Sequence, residues 1–293
     1  MIDAAVVVAR QTRASALMVY VDSLPDVGAV VSKLDHGLKL ILVARDDAEA
    51  GRCSGHAAQV LRVPNLDLSR MGQIKMATLM AFSQRLLDAG EAFVSLVGVV
   101  GQPLDTLVTL TVGQESEVFQ SVNQPKLTEH IKRVVFEKVL TIALELAHQG
   151  REGKAVGALF VVGDHREVTR CCQQNILNPF RGYNERHRNI LSESMKETVK
   201  EFAPIDGAFI IKGNGVIVSA GTMLRPNIGA AEIPPGLGAR HAAAAAISAS
   251  TRCIAVTLSE STGTVRVWRR GQIFTEIERS LKSPRPPRNI EED

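Results

Sequence analysis

The sequence predicts an α/β protein of two domains, and three observations carry that prediction. Short apolar runs at 16–21, 38–44, 93–100 and 107–112 bracket a helical pattern at 69–89, the strand–helix–strand rhythm of a small layered α/β domain. The chain then turns polar over 114–125, where we place a domain boundary, and beyond it strands and helices alternate a second time. Its 293 residues are long for one compact core and comfortable for two. The expected units are residues 1–120 and residues 126–282, followed by a tail at 283–293. That tail is rich in proline and charge and is expected to be disordered.

Each element follows from its residue pattern. In 69–89, Met71, Ile74, Leu79, Phe82 and Leu86 recur near helical spacing, with Gly90 as the stop. Residues 126–148 form a second amphipathic helix, with Ile131, Val134, Val135, Val139, Ile142 and Leu146 on one stripe. A nearly continuous apolar run at 155–162 reads as a buried strand closed by Gly163-Asp164. A polar loop through Asn178-Pro179-Phe180 leads to a helix carrying Leu191, Met195, Val199 and Phe202. Strands at 208–212 and 216–220, an alanine-rich helix from about Arg240, and strands at 253–259 and 264–269 complete the second half. Aromatic residues are only 4% of the chain, so the core must come from Val, Ile, Leu and Ala.

Composition narrows the function classes. Residues 151–293 hold 20 of the 34 Lys/Arg but only 15 of the 31 Asp/Glu. A mildly basic second half suits an anionic small ligand, and it is too mild and too poor in aromatics to imply nucleic acid. The apolar stretch 4–9 is too short for a secretion signal or a membrane span, so a cytoplasmic protein without membrane contact is expected. Four cysteines lack zinc-site spacing and read as free thiols in a reducing compartment.

Three segments offer chemistry. The first is Pro235-Gly236-Leu237-Gly238-Ala239-Arg240-His241, running into alanines 242–246. Its glycines allow close backbone approach, the alanines start a strong helix, and a helix N-terminus presents N–H groups to phosphate. Arg240 at that entry can add a bidentate grip. The second is Asp206-Gly207-Ala208, where a carboxylate stands at a strand start beside residues with little bulk. It can hold a divalent ion or accept a hydroxyl proton. The third is Ser259-Glu260-Ser261-Thr262-Gly263 between two strands, whose hydroxyls and N–H groups can bind phosphate while Glu260 ligates a metal. Each alone also fits an ordinary turn; their order and joint occurrence are what count.

Taken together, these segments resemble the diadenylate cyclase domain. Further marks are the run 157–164, Asn178-Pro179-Phe180 with Gly182-Tyr183, and Ala220-Gly221 before Met223-Leu224. The likeness covers residues 126–282. A literal Arg186-His187-Arg188 copies the family's best-known signature, but it precedes the aspartate motif and lacks the glycine turn, so it reads as a solvated surface run. The matching position is Arg240-His241, where Ala242 replaces the third basic residue, as in the archaeal branch. The first half is similar to the C-terminal domain of pyruvate kinase, through Val63-Pro64, Gln73-Ile74-Lys75 and Leu104-Asp105-Thr106-Leu107.

The resemblance implies a mixed sheet flanked by helices and a diadenylate cyclase that condenses two ATP into cyclic di-AMP and two pyrophosphates. Two copies would meet face to face. Catalysis would fall to Asp206, Arg240 and His241, and ATP binding to Gly207, Ala208, Leu224, Gly238, Ala239, Ser259 and Ser261. Asp206 and Glu260 would hold Mn²⁺ or Mg²⁺. The competing expectation is an adenine-nucleotide-binding regulatory module without turnover, which product formation tells apart.

Overall fold

The structure, a computed structural model, describes residues 1–34, 37–113, 130–225 and 236–279. In chain order the elements of the first half are α1 (Ile2–Thr12), β1 (Ala16–Tyr20), α2 (Gly28–Val31), β2 (Lys39–Ala44), α3 (Asp47–Arg52), β3 (Gln59–Arg62), α4 (Arg70–Ser83), β4 (Ala92–Val97) and β5 (Thr106–Thr111). The second half contributes α5 (Arg133–Gln149), β6 (Ala158–Val162), α6 (His165–Arg170), β7 (Cys172–Gln174), α7 (Glu193–Phe202), β8 (Ala208–Ile211) and β9 (Ile217–Leu224). It closes with α8 (Ala239–Ser250), β10 (Ile254–Leu258), β11 (Val265–Arg269) and β12 (Gln272–Ile277).

The first sheet runs β3-β2-β1-β4-β5, with β1 parallel to both β2 and β4 and only β5 antiparallel. Parallel strands need both faces covered, and the central β1 is buried at all five positions. Alternation along β1 sends Leu17 and Val19 to the apolar cluster that includes Ala5 and Ala9 of α1, and Met18 and Tyr20 to the one that includes Ile74 and Leu79 of α4. The second sheet runs β12-β11-β10-β6-β8-β9-β7 and is mixed, β6 being parallel to β8 and the other pairs antiparallel. Its strands alternate likewise. Phe160 and Val162 share a core with α5, while Leu159 and Val161 share one with Ala244, Ala245 and Ile247 of α8. The expected mixed sheet flanked by helices is therefore present.

Helix α4 departs from a surface amphipathic helix because both sheets use it. Residues on nearly all its sides are buried, including Gln73, Ile74, Met76, Ala77, Thr78, Leu79 and Met80. Ser69 caps it by accepting a hydrogen bond from the Gly72 amide at 3.0 Å. A side chain at Gly72 would stand 2.5 Å from the Glu278 carbonyl, so glycine is what lets the chain after β12 approach. Phe82 of α4 meets Phe274 of β12 with ring centroids 6.3 Å apart, and Ser83 Oγ donates to Glu137 of α5 at 2.8 Å. One apolar cluster thus runs from the first sheet through α4 and α5 into the second.

Several expected boundaries move. Helix α4 stops at Ser83 rather than at residue 89, because Arg85 takes a left-handed conformation (φ 57°) and turns the chain before Gly90. Helix α5 starts at Arg133, so Ile131 precedes it, and Val134 is 47% exposed rather than part of the buried stripe. Leu191 likewise precedes α7 and is exposed. Strand β9 extends four residues past the expected end, and β12 was not anticipated. The proposed boundary at 114–125, the first residues of the predicted 126–148 helix and the tail at 283–293 lie outside the described residues. Arg186 and His187 are exposed, as a surface run requires. Arg188 differs: its guanidinium donates to the carbonyls of Tyr183 and Ile217, which makes it a brace for the loop. All four cysteines are free thiols. No helix among the described residues is long and apolar enough to cross a membrane.

Candidate functional site

Three chain segments, far apart in sequence, converge at one end of the second sheet. Residues Asp206-Gly207 lead into β8, where Ala208 pairs with Thr222 of β9. Gly207 has φ 110°, and any side chain there would lie 2.5 Å from the Thr222 amide. That conformation belongs to glycine. It leaves Asp206 on the rim with its side chain exposed.

Helix α8 points its N-terminus at the same place. Gly236 (φ 90°) turns the chain and Gly238 is the N-cap in extended conformation, with no capping side chain. The amides of His241 and Ala242 bond to the Gly238 carbonyl. The amides before them lie in the turn where a helix has no internal acceptor to offer, so they are the natural donors to an anion.

The loop between β10 and β11 forms the third wall. It is tied by Ser259 N–H to Thr264 O and Gly263 N–H to Ser259 O, at 3.0 and 2.9 Å. The Ser259 and Ser261 hydroxyls lie 3.3 Å apart. Ser259 is buried at 9% exposure, whereas Glu260 and Ser261 face solvent.

Arg240 joins the three. Its guanidinium lies 3.0 Å from Asp206 Oδ1 and 3.5 Å from Glu260 Oε2. It rests against the backbone at Gly157, where a Cβ would stand only 2.6 Å from Arg240 Nη1. Arg240 Nε is buried without a hydrogen-bond partner. The cleft has a volume of about 820 Å³ and its lining includes Asp206, Gly238, Ala239, Arg240, His241, Ser259, Glu260 and Ser261. Such a volume lies within the range of small-molecule sites, roughly 300–1,000 Å³.

Not every predicted residue reaches the cleft wall. Ala208 is fully buried, Gly207 acts through its backbone, and Leu224 packs against the apolar cluster that Leu237 also touches. The lining adds Leu237 and Thr262 from within two of the named segments, and Ala155 and Arg266, which sequence reasoning did not single out. Arg266 sits on β11 with its Nη1 3.2 Å from His241 Nε2 and its Nε 2.5 Å from Glu276. Nothing in the local sequence flags it, because the contact with His241 spans 25 residues.

His241 is 6% exposed, and burial, followed by the nearby Arg266 charge, pulls its pKa down to about 4. The imidazole is neutral at ordinary pH. As donors to a cation, Asp206 and Glu260 are the two carboxylates in reach, and no group of three or more His, Cys, Asp or Glu with metal-site geometry occurs among the described residues. Two carboxylates are the donor set that a magnesium-like ion uses when substrate phosphates complete its shell.

This is a nucleotide-sized cleft built on a helix N-terminus, a guanidinium and paired carboxylates, and comparison with known proteins agrees with that class. Residues 145–273 match the family model described as "DisA bacterial checkpoint controller nucleotide-binding", and residues 1–119 match one described as "Probable sensor domain DacZ_P". A protein of Haloferax volcanii named diadenylate cyclase is 36% identical over 200 residues, spanning 68% of this chain and 72% of that protein. Another of that name from Methanocaldococcus jannaschii is 40% identical over 188 residues, spanning 62% of this chain and 60% of that protein. Among solved structures, DacA from Staphylococcus aureus overlaps 47% of this chain and 83% of its own, at 25% identity and a TM-score of 0.35. The chain belongs to the diadenylate cyclase family.

Proposed function

We propose that this protein condenses two ATP molecules into cyclic di-AMP, releasing two pyrophosphates. The observation that carries the reading is the convergence of Asp206, Arg240 and the Ser259–Ser261 loop on one cleft at the α8 N-terminus. Phosphoryl transfer asks for positioning, charge stabilisation and an acceptor for the hydroxyl proton. The α8 amides, Arg240 and the Ser259 loop supply the first two. Asp206, on the rim and exposed, stands where a 3′-hydroxyl from an opposed nucleotide could reach it and give up its proton.

A cleft that holds one nucleotide cannot by itself close a ring of two, so we infer that two copies of the chain meet with their clefts opposed. A two-fold contact uses the same patch twice and aligns each hydroxyl with the other molecule's α-phosphate.

Within this reading Asp206 and Glu260 hold Mn²⁺ or Mg²⁺. Two guanidiniums and two carboxylates line the cleft, Glu276 pairs with Arg266 beside it and His241 is neutral, so the protein offers no net positive charge there and a triphosphate arrives uncompensated. A divalent cation would supply that missing positive charge when bound. Meanwhile Arg240, released from its carboxylates, can turn its fork to the phosphates. Gly207 and Ala208 keep the strand entry narrow, and Leu224 with Leu237 offers an apolar edge to the adenine. The Arg-His pair running into alanines supports placement with the archaeal branch. The first half is read as a regulatory α/β domain of pyruvate-kinase C-terminal type.

The test is chromatography with mass detection after incubation with ATP and Mn²⁺ or Mg²⁺. Cyclic di-AMP should form, and a chelator should abolish it. ATP binding without product across metals and protein concentrations would contradict the reading.

A further inference from the structure

The cleft contains a second guanidinium whose surroundings fix its chemistry. Arg266 projects from β11 with its side chain 13% exposed, and Glu276 on the neighbouring β12 accepts from its Nε at 2.5 Å. That contact sets the plane of the fork. One Nη1 hydrogen reaches His241 Nε2 at 3.2 Å.

Arginine has only donors, so His241 Nε2 must be the acceptor and the imidazole proton must sit on Nδ1. An imidazolium would set N–H against N–H. The histidine is therefore a neutral prop whose tautomer Arg266 dictates, and it cannot supply phosphate-binding charge. Two of the five guanidinium N–H groups are thus engaged by described residues, which leaves three for a ligand at the cleft wall. Ala242, at the position where the resemblance would expect a third basic residue, has no side chain able to do this work.

We infer that Arg266 is the second phosphate-binding arginine of the cleft, reaching the substrate polyphosphate from β11, and that His241 is a positioning residue that acts through it. The inference rests on the nucleotide reading of the cleft but not on turnover. Glu276 and His241 together hold the fork as a rigid donor, so little conformational freedom is lost when phosphate arrives. Lysine would not serve equally, because a point charge cannot bond Glu276, His241 and phosphate with one planar group.

The experiment measures binding of inorganic triphosphate and of adenosine, separately, to the full chain by calorimetry, for the native protein, Arg266→Met and Arg266→Lys. Thermal unfolding checks that each variant folds. Arg266→Met should lose about tenfold or more in triphosphate affinity while adenosine binding stays unchanged, and Arg266→Lys should fall between. Nitrogen-15 spectra of histidine should show His241 as the Nδ1–H tautomer in the native protein and should lose that preference in Arg266→Met. Should Arg266→Met not fold, the lysine variant decides. Triphosphate affinity within about twofold of native in the folded variants, or an equal fall for adenosine, would overturn the assignment. Failure of the native protein to make cyclic di-AMP would refute the proposed reaction alone, since these affinities do not depend on it.

Discussion

Arg240 is held through its two terminal nitrogens by Asp206 and Glu260. Asp206 and Glu260 compensate its charge, and the proposed function gives the same two groups to a divalent cation. Removing the Asp206 charge should therefore act on rate more than on folding, because its side chain is exposed. Asp206→Asn is expected to lower cyclic di-AMP formation by about 10²-fold or more with the melting temperature nearly unchanged, read by product assay beside calorimetry. Gly157 tests the seat of Arg240. Gly157→Ala would put a methyl group 2.6 Å from Nη1, so the guanidinium must move; ATP affinity should fall while the protein stays folded. Of these residues, Asp206, Arg240 and Glu260 were legible because carboxylates and arginine beside glycines signal a ligand. Gly157 and Arg266 were not, since their roles exist only once β6, α8 and β11 are side by side.

At the scale of elements, the α8 N-terminus combines a dipole, free amides and a buried histidine. The folded His241 pKa of about 4 lies below its ordinary value near 6.5, so between these values the unfolded chain binds more protons than the folded one. Stability contributed by the neutral imidazole is complete above pH 6.5 and declines as pH falls toward 4. Melting temperature measured from pH 7 to pH 4 should therefore drop more steeply for the native protein than for His241→Asn. A parallel fall would contradict the neutral, buried assignment. Element by element, strands of the central sheet positions were the easiest to read, because β1, β2, β6 and β10 are mostly apolar and are buried at nearly every position. Helix ends were harder. No glycine announces the stop of α4 at Ser83; Arg85 takes the left-handed turn instead. Strand β12 was missed because a short alternating run leading into a charged tail looks like the tail's beginning.

Across the whole molecule, the two sheets share an apolar core through α4, α5 and β12. Sequence patterning saw two layered units, yet it could not show that α4 would be buried from both sides, because its residues read as an ordinary amphipathic stripe. Phe274, 5% exposed, stands at this junction beside Phe82. Phe274→Ala should cost about 3–5 kcal/mol by denaturant titration, from lost burial and the cavity left behind. If the first sheet were energetically separate, probes placed in it would not register that loss; the shared core predicts that they will. The same junction brings the chain after β12 against Gly72, so the packing of α4 depends on residues from both halves.

The most direct test of the central claim is the yield of cyclic di-AMP from ATP and Mn²⁺ or Mg²⁺ as protein concentration is varied, with Asp206→Asn as control. The account predicts product from the native protein, almost none from the control, and a specific activity that rises with concentration as opposed clefts assemble. Product formed equally by the control, or no product from the native protein at any metal or concentration, would contradict it.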